Sequence, residues 1–98
     1  MTLIESFRRW VQETSHDIQM AGFTLVNNRN DSSYVDIETA TVFARITLWS
    51  FGSCDMQTLD VESGSQTFWK NYEFNDWETA HGVLKLFVED ILSDSVSH

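Results

Sequence analysis

The sequence has no proline, a single cysteine and only four glycines in 98 residues. Without proline nothing imposes a helix kink, and chain reversals must rest on glycine and short polar residues. The lone Cys54 cannot form an internal disulfide, and secreted domains of this size usually carry several, so a reducing compartment is expected. Basic residues are also scarce: six Lys and Arg stand against fifteen Asp and Glu, for a net charge of -9. That balance repels phosphates and anionic lipid heads, so neither nucleic acid nor a membrane surface is an expected partner. No apolar run approaches the ~20 residues of a membrane span. Glu5, Arg8 and Arg9 interrupt the first ten residues, so no export signal is expected there either.

What is present suffices for a packed interior. Hydrophobic residues make up 42% of the chain and aromatics 13%, which argues for one folded domain over residues 1–98. Leu3, Phe7, Trp10, Val11, Thr14, Ile18 and Ala21 recur at helical spacing after a Thr2/Glu5 capping box, predicting a helix over 3–21 closed by Gly22. The period then falls to two. Strands are predicted at about 23–27, 34–38, 42–50, 54–62 and 66–74, with a polar loop over 27–33 and hairpin turns at 51–53 and 63–64. Within 54–62, Cys54 and Met56 are out of phase with Leu59 and Val61, which predicts a bulge near Gln57 to Leu59. Asn75 and Glu78 suggest a second cap, and Trp77, Ala80, Leu84, Phe87, Val88 and Ile91 mark a helix over 76–92 with a frayed polar tail at 93–98.

Short links between consecutive strands make antiparallel pairs. The expected fold is therefore α+β: a meander of four or five strands with both helices packed on one face. The other face stays open to solvent and would carry Tyr34, Asp36, Glu38, Phe43, Arg45, Thr47, Trp49, Asp55, Gln57, Asp60 and Glu62, with Trp69 also opposite its strand's apolar set. Trp10 and Trp77 lie within apolar helix stripes and are expected in the core.

No catalytic grouping stands out. His16, His81 and His98 are expected on polar helix surfaces or at the terminus, and Cys54 has no base nearby in sequence. The glycines are accounted for by turns, and no phosphate-binding loop is present. Asp36 and Glu38 could form a divalent-metal site with Asp55, Asp60 and Glu62 only if their strands were neighbours. No enzyme activity, metal or cofactor is expected. Exposed aromatics beside carboxylates instead describe a protein-binding face, with anchors that bury and charges that steer a basic partner. Phe43 and Trp49 are the expected anchors, and Arg45 is expected to be held between carboxylates.

The stretch from Val42 to Phe74, VFARITLWSFGSCDMQTLDVESGSQTFWKNYEF, resembles the bacterial TriTu immunity proteins. Their pattern, R-I-T-x-W-x-x-G-x-C-D followed by L-D-x-E-S-G and an aromatic strand ending Y-E-F, falls here on Arg45, Trp49, Gly52, Cys54, Asp55, Asp60, Glu62, Ser63, Gly64, Tyr72, Glu73 and Phe74. The resemblance implies a cytoplasmic antidote. It would bind, as a monomer and 1:1, a cognate ADP-ribosyltransferase toxin of type VI secretion that uses NAD to modify elongation factor Tu. The alternative is an acidic secretion chaperone, which holds an effector without blocking its active site.

Overall fold

The computed structural model describes residues 2–17, 22–28 and 32–96. Helix α1 spans Leu3–Asp17, strands β1 to β5 span Gly22–Asn28, Ser32–Glu38, Val42–Trp49, Ser53–Asp60 and Gln66–Glu73, and helix α2 spans Trp77–Val96. The strands form one antiparallel sheet in the order β1-β2-β3-β4-β5, a meander of the expected α+β class.

Alternation decides which side of the sheet is dry. Val35 and Ile37 on β2, Ala44, Ile46 and Leu48 on β3, and Cys54 and Met56 on β4 point to one side and are fully buried or nearly so. They form a single cluster with Ile4, Phe7, Trp10 and Val11 of α1 and Ala80, Leu84, Val88 and Ile91 of α2. Both helices therefore cover the same face, because each has one apolar stripe and the sheet offers one apolar side. Trp10 is buried, and Trp77 packs partly buried against the cluster.

Helix caps follow local chemistry. Thr2 Oγ1 accepts from the Glu5 amide at 3.2 Å, starting α1 as the sequence suggests. At α2 the cap is Asp76 rather than Asn75: its Oδ1 accepts from the Thr79 amide at 2.8 Å, and this interaction holds its carboxyl below the ordinary range. Either residue can cap, and the one three positions before an unpaired amide prevails. Helix α2 continues to Val96, past the expected stop at Leu92. The sequence reading ended where the apolar stripe ends, but no proline or glycine in Ser93–Val96 halts the backbone. Gly22, expected to cap α1, opens β1 opposite Glu38. The expected helical residues 18–21, residues 29–31 of the expected polar loop, and residues 97–98 of the tail lie outside the described residues.

Candidate functional site: the open face of the sheet

Register lays the solvent face out in rows. Asp36, Arg45, Gln57 and Trp69 lie side by side across β2 to β5, and Tyr34, Thr47, Asp55 and Asn71 form the next row. Glu38, Phe43 and Leu59 make a third row toward one end. Trp49 sits at the other end, where its ring stacks on Phe51 with centroids 6.4 Å apart. Nine expected site residues are thus together on one face: Tyr34, Asp36, Glu38, Phe43, Arg45, Trp49, Asp55, Gln57 and Trp69.

Asp60 and Glu62 fall outside these rows, although Asp60 still lines a hollow beside Glu38 and Phe43. The bulge is present, between Thr58 and Leu59, but it shifts β4 against β5 only. Against β3 the alternation runs unbroken, so Leu59 faces Phe43 on the open side and Asp60 falls opposite Val42 at the strand's end. Asp60 is a turn residue: Oδ2 accepts from the Ser63 amide at 3.0 Å, its carbonyl accepts from Gly64, and Ser63 holds its carboxyl below the usual value. Glu62 lies exposed within that turn, whose Gly64 has φ of +73°. The extra residue of the bulge is Thr67, whose hydroxyl lies 2.7 Å from that of Thr58.

The middle of the face is internally satisfied. Arg45 donates from Nε to Asp36 Oδ1 at 2.6 Å and from Nη2 to Oδ2 at 3.1 Å, and its guanidinium lies 4.3 Å from the Tyr34 ring centre. One carboxylate and an aromatic ring hold it, rather than two carboxylates, and the Asp36 hydrogen bond raises its pKa further above the ordinary arginine value. Asp55 accepts from Asn71 Nδ2 at 2.7 Å. With Asp36 matched by Arg45, the remaining charge of the face is negative: Glu38, Asp55 and Glu73 have no cation opposite them in register. A hollow of about 360 Å³ opens at the Glu38 end, walled by Phe43, Leu59 and Val61.

Among the described residues the arrangement offers aromatics and hydrogen-bond acceptors, and neither a histidine nor the cysteine lies on this face. Burial, with help from Asp55, pushes the Cys54 thiol up to about 12, and its side chain points into the core. Asp36 and Asp55 are separated by β3, which interposes Arg45 and removes the strand adjacency a shared metal would need. His81 is half-buried on the helical side of the molecule: its ring stacks on Trp77 at 5.6 Å and meets the edge of Trp10 at 6.3 Å. The side chain of His16 and the whole of His98 lie outside the described residues.

Sequence reasoning missed Phe51, 77% exposed, and Leu59. Phe51 is an apolar residue in a turn directly after a strand tryptophan, and that adjacency is the signal that locates it. Leu59 gave none, since its phase matched either register.

The chain is thus a two-layer α+β domain with one sheet face covered by both helices and one open face of aromatics and carboxylates. The family model described as immunity protein TriTu matches residues 5–90, and the chain belongs to that family. Membership makes it an immunity protein, whose role is to bind a cognate toxin. Comparison with curated proteins finds no match.

Proposed function

We propose that the chain neutralises an ADP-ribosyltransferase toxin of type VI secretion by laying its open sheet face over the toxin's NAD-binding cleft. Elongation factor Tu, and with it translation in the bacterial cytoplasm, is thereby protected. The observation that supports this reading is the pairing of exposed Trp69 and Phe51, the latter stacked on half-buried Trp49, with carboxylates that have no cation opposite them in register. A cleft that binds an anionic pyrophosphate presents positive potential, and an acidic face matches it. With neither a histidine nor a cysteine among the described residues of this face, protection is by occupancy and therefore stoichiometric, one chain per toxin.

The test is a titration of a ribosyltransferase toxin domain of the proposed class, with NAD consumption as readout. Activity should fall linearly to zero at one equivalent, and a trace of the protein should not restore factor that is already modified. Trp49→Ala should weaken inhibition about 30-fold, the equivalent of ~2 kcal/mol for a lost anchor, with little change in melting temperature. Full inhibition by Trp49→Ala at one equivalent, with unchanged affinity, would move the contact off this end of the face. Binding without loss of ribosyltransferase activity would point to a chaperone.

A further inference from the structure

The exposed apolar surface is unevenly spread. Of the five large hydrophobic side chains exposed among the described residues, Phe68 and Trp69 lie on β5, Val61 on the turn leading into it, and Leu86 on the turn of α2 beside it. Helix α2 leaves the inner side of β5 incompletely covered. Met56, Phe68, Tyr72, Val83, Leu86 and Phe87 line a groove of about 240 Å³ there, together with Asp90.

β5 is also an edge of the sheet, eight residues long and without proline. Its backbone direction can be read from one bond. The Phe74 amide donates to the Gly52 carbonyl at 2.9 Å, and in an antiparallel ladder the bonded pairs recur at every second residue. Tyr72, Lys70 and Phe68 therefore direct their backbone groups to β4, whereas Glu73, Asn71 and Trp69 direct theirs outward. Natural edges of this length are normally blunted by charge, bulges or cover. Here the bulge at Thr67 lies at one end, and only Lys70 and Glu73 are charged.

We infer that β5 is a strand-addition site that receives an extended segment of the toxin, pairing with the outward groups of Trp69, Asn71 and Glu73. The inference rests on the toxin-binding reading and extends it. Backbone donors and acceptors at every second residue fit a strand and not a helix. The two sides of β5 specify the alternation of that strand. Toward the open face it meets Trp69 and the nearby Asp55, which select lysine or arginine. Toward the helices it meets the Phe68, Leu86 and Phe87 groove, which selects an apolar side chain. A second copy of the chain fits poorly: each carries a net charge of -9, and the two-fold register that faces Phe68 with Tyr72 also faces Lys70 with itself.

The test compares Asn71→Pro with Asn71→Ala in binding to the ribosyltransferase domain. Both lose the side-chain bonds to Ser53 and Asp55, but only proline removes the outward amide, and an outward position on an edge strand tolerates it. Asn71→Pro should bind at least about tenfold more weakly than Asn71→Ala, since one backbone bond is lost and the added strand is displaced. Equal affinities would overturn strand addition while leaving the toxin-binding reading intact. No binding by the unmodified protein would overturn both. Amide exchange on the unmodified chain gives a second readout that does not depend on the variant folding. The amides of Trp69, Asn71 and Glu73 should become protected when the toxin is bound, and unchanged exchange there would overturn the inference. So would a free dimer that Asn71→Pro converts to monomer, because β5 would then pair with a second copy.

Discussion

Gly52 carries the tightest constraint at the scale of single residues. Its φ is +101°, and a Cβ built on it would overlap the Phe74 carbonyl oxygen. Both objections apply to any other residue, so Gly52→Ala should destabilise by roughly 2–4 kcal/mol, read as a melting temperature at least ~10 °C lower. Gly64 is a useful contrast. It also has positive φ, but no atom lies within 4 Å of its virtual Cβ, so Gly64→Ala should cost only the backbone strain. Cys54 belongs at this scale too. Fully buried and held protonated, it should resist alkylation by iodoacetamide at pH 8 until the protein is unfolded, and labelling of the native chain at the rate of free cysteine would contradict its placement.

At the scale of elements, the cap of α2 links sequence to pH dependence. Asp76 has its folded pKa lowered by the Thr79 hydrogen bond from the ordinary carboxyl value of 3.8. A group depressed on folding contributes stability above its unfolded pKa and loses it as pH falls through the folded one. Asp76→Asn should therefore keep most of the cap but flatten the stability profile below about pH 4, whereas Asp76→Ala should lose the cap at every pH by a few degrees in melting temperature. Equal profiles for the unmodified chain and the Asp76→Asn variant over that acid range would show that the charge is not the active feature. The elements were legible to differing degrees, for physical reasons. Burial on one side imprints a period of two on β2 and β3, so Val35, Ile37, Ala44, Ile46 and Leu48 could be assigned to the core from sequence. The phase change at Leu59 was equally visible, but one strand's pattern cannot say which neighbour's register is shifted, and Asp60 and Glu62 fall outside the expected rows on that account. The exposure of Phe68 depends on where α2 lies over the sheet, which no local pattern records.

On the scale of the whole molecule, charge and shape separate how fast the toxin is met from how firmly it is held. Under the proposed function, a net charge of -9 would steer encounter with a basic cleft over distances set by ionic strength, while the proposed aromatic anchors would act only after contact. The structure determines which carboxylates can be changed to measure the first effect alone. Asp36 is committed to Arg45, and Asp55 to Asn71, so reversing either would disturb the face itself. Glu38 and Glu73 are exposed, at opposite ends of the face, and have no cation opposite them in register. Glu38→Lys combined with Glu73→Lys changes the net charge from -9 to -5 and should leave melting temperature nearly unchanged. In stopped-flow association with the ribosyltransferase domain, the doubly reversed chain should bind roughly tenfold more slowly at about 10 mM salt, where the Debye length is about 30 Å. The two rates should converge near 1 M, where it is about 3 Å, with the dissociation rate changing far less. A rate deficit that persists undiminished at high salt would mean that Glu38 or Glu73 makes a buried, specific contact, and would place that residue among the anchors rather than the steering charges.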